Sequence, residues 1–250
     1  MTDTTRHFIT NRFHMRMAVY VTEPEGEVLG TVLQVHGLSS KANRPIFTET
    51  TPTFIAAGYR VVSYDATHSL GASDGDAGLC TMSGLLYDME DVLHWLDTTY
   101  TDERQKLVLM GHSLGAMAIG YIHADGNIFV SSVTDGAKSF EYSWTETELD
   151  AWQTNGYVER GYDGGYHLLR WSHYPDRCKH SILGTNHPNS LLISGTEDPD
   201  RSGTDDLEKS KIESGDTYIR LDLEGAGHSI KELEHIAQVN AAIKQFLPQI

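Results

Sequence analysis

Leu107-Val108-Leu109-Met110-Gly111-His112-Ser113-Leu114-Gly115-Ala116-Met117-Ala118-Ile119-Gly120-Tyr121-Ile122 decides how this chain is read. Residues 107–110 form a short apolar run of the length of a buried strand, and 116–122 a small-residue stretch that reads as a buried helix. Between them Gly111-His112-Ser113-Leu114-Gly115 matches the pattern G-x-S-x-G. Five residues with three fixed positions recur by chance, so the match alone carries little. Set between a strand and a helix it becomes a nucleophile elbow. Its glycines let the strand turn sharply and hold Ser113 in strained backbone geometry with its hydroxyl projecting forward. The helix N-terminus behind it adds a positive dipole end and free N–H groups where an oxyanion would form.

Working outward, the chain alternates strands and helices. The first 30 residues read as two strands joined by a turn at 23–27, and 31–35 as a buried strand that stops at His36-Gly37. A helix is expected over 47–57, with Pro52 near a break or a start inside it and Gly58 as its cap. Residues 60–65 follow as a strand. Leu85, Leu86, Met89, Val92, Leu93 and Leu96 recur at helical spacing, which predicts an amphipathic helix over 83–100. A strand at 128–133 comes next, and the alternation then lapses from about 135 to 187. It resumes with a strand at 190–194, an acidic helix around 205–212, a strand at 217–223 and a last helix over 230–246. This pattern predicts a mainly parallel sheet with helices on both faces and an antiparallel N-terminal edge hairpin. In such sheets the chemistry lies beyond the C-terminal ends of the strands.

A serine hydroxyl is a poor nucleophile at neutral pH and needs a base that is itself oriented by a buried carboxylate. Both partners follow Ser113 in the chain. The strand run Leu191-Leu192-Ile193-Ser194 leads into Gly195-Thr196-Glu197-Asp198, which offers the acid. Leu221-Asp222-Leu223 leads into Glu224-Gly225-Ala226-Gly227-His228, which offers the histidine. Glu197, Asp200 and Asp135 compete with Asp198 for the acid's role.

With these motifs in place the chain resembles the α/β-hydrolases, in the small-cap branch that holds monoacylglycerol-lipase-like, feruloyl-esterase-like and serine-aminopeptidase-like enzymes. The order Ser…Asp…His is the one expected there. Further markers are His36-Gly37 after one strand, and Gly58-Tyr59-Arg60-Val61-Val62-Ser63-Tyr64-Asp65 followed by Gly71-Ala72-Ser73-Asp74-Gly75. One departure is Ala66-Thr67-His68-Ser69-Leu70, where the family commonly has a shorter arginine-glycine turn. The resemblance implies an α/β-hydrolase fold with a core over 1–134 and 188–250 and a small cap, 135–187, inserted after the sixth strand. It implies a triad of Ser113, Asp198 and His228, with an oxyanion hole at the backbone amides of Leu38 and Leu114. The implied activity is that of a serine hydrolase cleaving carboxylic esters of short to medium acyl or aromatic acids through an acyl-enzyme. Alternatives are an acyl thioesterase that releases a chain from a carrier, an aminopeptidase-like hydrolase, and a non-catalytic ligand-binding module.

The remaining candidates are weighed against plainer roles. His36 and His112 lie near the elbow and are expected to hydrogen-bond loop backbone rather than transfer protons. His167, His173, Cys178, His180 and His187 crowd one segment, yet their spacing matches no compact zinc pattern, so no metal and no cofactor are expected. Gly71–75 lacks the lysine and the helix start of a phosphate loop. Nine of the chain's 23 aromatic residues fall between Phe140 and Tyr174, which makes the cap the segment expected to set substrate choice. Such residues serve either as a core for the cap or as the lining of an acyl or aromatic pocket. Trp144, Trp152 and Tyr166 are the ones expected to touch substrate, and Gly156, Gly161, Gly164 and Gly165 mark part of the cap as mobile.

At 250 residues and 39% hydrophobic, the chain can bury one large core. Its net charge of −16 argues against nucleic acid or an anionic membrane surface as partner. No apolar run approaches the roughly 20 residues of a bilayer span, and the N-terminus shows no signal-peptide core, so a cytoplasmic location is expected. Cys80 and Cys178, far apart in sequence, read as unpaired thiols of such a compartment. A small-molecule acyl ester or thioester is the expected partner, and an acyl carrier would accompany the thioesterase alternative.

Overall fold

The computed structural model describes residues 3–100, 106–162 and 165–250. Its strands are β1 (Thr4–Thr10), β2 (Arg16–Thr22), β3 (Gly30–Val35), β4 (Tyr59–Tyr64), β5 (Leu107–His112), β6 (Gly126–Val130), β7 (Tyr157–Tyr162), β8 (Gly165–Arg170), β9 (Asn189–Gly195) and β10 (Thr217–Leu223). Its helices are α1 (Pro45–Thr48), α2 (Thr51–Ala56), α3 (Met82–Thr99), α4 (Leu114–Ile119), α5 (Gly136–Ser143), α6 (Glu146–Asn155), α7 (His173–Arg177), α8 (Arg201–Ser214) and α9 (Leu233–Phe246). Eight strands form one sheet in the order β1-β2-β4-β3-β5-β6-β9-β10. β1 and β2 run antiparallel and every pairing from β4 to β10 is parallel. The N-terminal hairpin therefore supplies the expected antiparallel edge, but it turns at 11–15, where the Asn11 amide donates to the Met15 carbonyl, and the turn expected at 23–27 instead leads from β2 to β3.

The central strands are buried on both faces, so they read as continuous apolar runs rather than alternating ones. Alternation survives in where each side chain goes. Leu107 and Leu109 of β5 join α3, α4 and Leu207 of α8 on one face of the sheet. Val108 and Met110 join α1, α2 and α9 on the other. This two-faced packing brings every parallel strand's C-terminal end to the same rim.

Differences from the sequence reading have local causes. The helix expected over 47–57 is split into α1 and α2, because Pro52 lacks an N–H and its ring denies the preceding turn. Thr50 between them turns its hydroxyl onto the Ile46 carbonyl, 2.6 Å away. β6 ends at Val130, where Ser131 takes φ +47°. The last helix begins at Leu233 rather than 230, since Ile230 sits at φ +33°, outside the helical region.

Between β6 and β9 the chain leaves the sheet. It builds α5 and α6, the antiparallel hairpin β7–β8, and α7. α6 opens with a capping box between Thr145 and Glu148 and closes on Gly156 at φ +77°, a left-handed conformation that glycine adopts without strain. Phe140, Trp152 and Leu169 form a small core of their own here, with Trp144, Trp171 and Tyr174 packed against it.

Both free edges of the main sheet carry charge. On β1, Phe8 lies beneath the guanidinium groups of Arg6 and Arg16, at 5.0 and 4.7 Å. On β10, Arg220 pairs with Asp205, Glu208 and Asp222. Among the described residues no helix is long and apolar enough to cross a membrane.

Candidate active site

The turn from β5 into α4 places Ser113 at φ +58°, a value that an L side chain adopts only under constraint. Neighbouring elements impose it. The Ser113 amide donates to the Val130 carbonyl at 2.9 Å, and the Ser113 carbonyl accepts from Val133 at 3.3 Å and Ala116 at 3.0 Å. Gly115 is required by close approach, because any Cβ there would run into the Val35 carbonyl of β3. The same holds for Gly37, where a Cβ would come within 2.9 Å of both the Ser113 Cβ and the His112 carbonyl. The loop after β3 is thereby pressed against the serine.

His228 follows β10 by five residues and Asp198 follows β9 by three. They meet Ser113 in one hydrogen-bonded chain. His228 Nε2 stands 2.9 Å from Ser113 Oγ, and His228 Nδ1 lies 2.9 and 3.1 Å from the two Asp198 oxygens. The Asp198 side chain has no exposure, while that of His228 keeps 27% of its own. Burial works against ionisation of Asp198, yet the bond from His228 and the amide of Asp200 together hold its carboxyl below the usual range. An ionised acceptor at Nδ1 fixes the proton on that nitrogen, so Nε2 presents its lone pair to the serine hydroxyl.

The two other histidines at the elbow bond backbone. His36 Nε2 accepts from the Ala66 amide at 3.0 Å, and its Nδ1 donates to the Gly37 carbonyl at 2.8 Å. His112 Nε2 donates to the carbonyl of His228 at 2.8 Å, which anchors the histidine loop. Burial, with His228 nearby, pushes the His112 imidazole down to about 3. It remains neutral beside His228 and does not oppose a charge forming there.

The acid's competitors fall elsewhere. Asp135 caps α5 through the Lys138 amide at 3.0 Å. Asp200 comes to 3.9 Å of His228 Nδ1, beyond hydrogen-bond reach. Asp198, Asp200 and His228 are also the one set among the described residues with three metal-ligand atoms in mutual reach, but Asp198 already engages Nδ1. The crowded histidines separate onto different partners: His167 on Ser39, His173 on the Cys80 carbonyl, His180 on Ser83 and His187 on Thr185. Both cysteines are free, and burial pushes the Cys80 thiol up to about 12.

The amides of Leu38 and Leu114 donate to no other described residue. Both residues line a cavity of about 300 Å³ at whose wall Ser113 and His228 stand. The unusual loop 66–70 lies behind this wall, held by Asp65, which accepts from the Ala42 and Ala72 amides, and by Asp88, which accepts from Thr67.

The expected substrate contacts need correction. Trp152 is 2% exposed, stacks 5.1 Å from Trp144 and gives its indole N–H to the Leu169 carbonyl, so both tryptophans serve the small core. Tyr166 is 64% exposed on β8. None of the three lines the cavity. Arg160, Gly161 and Tyr162 from β7 line it instead, with Arg44, Arg177, Asp200 and Ser229. Sequence reading singled out none of these four arginine and serine residues. For Arg160 and Arg177 the only signal is basic charge in an acid-rich segment, which by itself does not say which way a side chain faces. Of the four glycines expected to loosen this segment, Gly164 lies outside the described residues.

With the geometry fixed, the sequence matches the alpha/beta hydrolase family over residues 33–242, most of the chain. This chain belongs to the alpha/beta hydrolase family. No curated protein matches its sequence. Solved structures give the same fold at low identity. A putative hydrolase from Agrobacterium vitis S4 superposes with a TM-score of 0.80 at 18% identity, covering 98% of this chain and 99% of its own. Alpha/beta hydrolase domain-containing protein 10 from mouse gives 0.78 at 17%, covering 98% and 99%. Est1E from Butyrivibrio proteoclasticus, with ferulic acid bound, gives 0.80 at 16%, covering 97% and 98%. These structures share the fold over nearly the whole chain.

Proposed function

We propose that this alpha/beta hydrolase is a serine hydrolase of small carboxylic esters. The observation that carries the reading is the chain Ser113 Oγ–His228 Nε2–His228 Nδ1–Asp198, at 2.9 Å in each link, opening on a cavity. Ser113 Oγ attacks the ester carbonyl while His228 Nε2 takes its proton. The negative charge that develops on the carbonyl oxygen is met by the Leu38 and Leu114 amides, each such donor being worth about 3 kcal/mol in the transition state. Collapse of the tetrahedral species breaks the C–O bond, and the departing alcohol leaves with the proton from His228. A water, deprotonated by His228, then releases the acid and restores Ser113. Asp198 orients the imidazole and steadies its positive form.

The size of the cavity favours short acids, aliphatic or aromatic, over long chains. Ferulic acid in the fold-related Est1E is consistent with an aromatic acid. We take the segment 135–187 as the lid of this site. A fluorophosphonate is expected to label Ser113, with no labelling of Ser113→Ala; unlabelled wild-type protein would overturn the reading. Thioesters, including carrier-bound ones, and aminoacyl anilides pass through the same tetrahedral species, so a panel of p-nitrophenyl esters, acyl thioesters and aminoacyl anilides sets the substrate class.

A further inference from the structure

Besides Arg44, two guanidinium groups line the cavity beside Ser113 with no acid in salt-bridge reach among the described residues. Arg160 comes from β7 and Arg177 ends α7, and both line the cavity together with Ser113, His228 and Leu38. Among the described residues no carboxylate oxygen lies within 4.0 Å of either guanidinium. Acids are not scarce in this chain, which has 35 of them against 19 lysines and arginines. Elsewhere Arg12 and Arg201 each engage two, and Arg220 three.

What holds the two cations in place is aromatic. Arg177 lies 4.6 Å from the Phe140 ring centre and Arg160 5.9 Å from that of Trp144. Ring contacts hold a cation without consuming its N–H donors. The Arg177 Nε is buried and donates to none of the described residues. An unmet buried donor costs about 1–3 kcal/mol, more when charged, so it persists where something else meets it. The arginines also oppose each other: burial chiefly, with Arg160 adding and Asp200 resisting, brings the Arg177 guanidinium down to about 10. Asp200 lines the same cavity, but one of its oxygens accepts from the Ser143 hydroxyl at 3.0 Å and the other stands 3.9 Å from His228. One carboxylate, turned toward other groups, does not balance two guanidiniums.

We propose that the substrate is an ester bearing a separate carboxylate, which Arg160 and Arg177 hold while Ser113 attacks the ester carbonyl. The planar fork of N–H donors on arginine fits a carboxylate in a way that lysine does not. Placed here it fixes the orientation of a small substrate that offers the cavity little apolar surface. This inference rests on the serine-hydrolase reading and names its substrate class.

The test is a ratio of kcat/KM within matched ester pairs that differ only in charge. Monoethyl adipate against its terminal amide places the carboxylate on the acyl side; 4-acetoxybenzoate against 4-acetoxybenzamide places it on the leaving side. In at least one pair the carboxylate is expected to be favoured at least tenfold at low salt, with the preference shrinking in 0.5 M NaCl. Arg160 is exposed, so its replacements should fold. Arg160→Gln is expected to cut the ratio about tenfold, Arg160→Glu to invert it, and Arg177→Lys to reduce it by removing the fork while keeping charge. A ratio near one in both wild-type pairs, or one that survives Arg160→Gln, overturns the proposal and leaves the serine-hydrolase reading standing, because the amides are still cleaved. If no ester is cleaved and no fluorophosphonate label appears, that reading has failed on its own. The anion site is then judged on Ser113→Ala protein: adipate and 4-hydroxybenzoate should raise its melting temperature above the corresponding amides, an effect lost with Arg160→Gln. Equal melting with acid and amide overturns the site.

Discussion

Ser113, Asp198 and His228 stand one, three and five residues beyond β5, β9 and β10, so three parallel strands of one sheet deliver them to one rim. The segment between β6 and β9 is assembled differently. Its aromatic side chains turn on one another, Trp144 on Trp152 and Trp171 on Tyr174, while the groups it offers to the cavity are arginines and a tyrosine. The first region is positioned by pairing in the main sheet, the second by a two-stranded hairpin and the packing of its aromatic side chains. Function should therefore fail abruptly and locally in the first, and through loss of shape in the second.

The largest effect separates them directly. Ser113→Ala is expected to lower kcat/KM on a p-nitrophenyl ester by about 10³- to 10⁶-fold without lowering the melting temperature. Asp198→Asn should cost about 10³- to 10⁴-fold by leaving the imidazole in the wrong tautomer, whereas Asp200→Asn should stay within about tenfold. If the two substitutions cost the same, Asp200 shares the acid's role and the assignment breaks. In the segment between β6 and β9 the expected effect is on folding. Trp152→Ala removes a 2%-exposed ring and orphans the Leu169 carbonyl, and should lower the unfolding free energy in urea by about 3–5 kcal/mol.

A smaller, graded effect spans both regions. His112 of the elbow and His173 of the segment between β6 and β9 are pushed down to about 3, and His187 to about 4, in each case mainly by burial. The unfolded chain protonates them near 6.5, so between that value and the folded ones it binds more protons. Stability is thus complete above pH 6.5 and falls as the pH drops, by about 1.4 kcal/mol per unit for each histidine. Urea titrations at pH 7 and pH 5 should show the drop, and His173→Phe should flatten its slope by one histidine's share; an unchanged slope would mean that His173 titrates normally in the fold. The smallest effect belongs to Tyr166→Ala, within about 0.5 kcal/mol in stability and twofold in kcat/KM. A large loss of activity there would return Tyr166 to the substrate site.

The contrast also explains what the sequence made legible. A parallel sheet writes itself into the chain as apolar runs ending in glycine, and the rim of such a sheet is a place that chain order can specify. Ser113, Asp198 and His228 were found that way. Helix ends were less visible: Pro52 announced a break, while nothing at Ile230 announced its positive φ. Between β6 and β9 the concentration of aromatics was visible but its direction was not. Hydrophobicity is the same whether Trp152 faces a substrate or Trp144, and only packing decides between them. Arg160 and Arg177 escape a sequence reading for the converse reason, since a charged residue in a polar stretch reads as solvated surface until the fold sets it beside the cavity.

The guarded edges of the sheet bear on how the protein behaves in bulk. A sheet grows by adding strands where backbone N–H and C=O groups lie open, and that is the route to fibrils and precipitates. At β1 an incoming strand would have to displace two guanidinium groups from Phe8, and at β10 it would have to strip Arg220 from its three acids. Concentrated or warmed solutions should therefore resist edge-to-edge association until one of these charge clusters is neutralised.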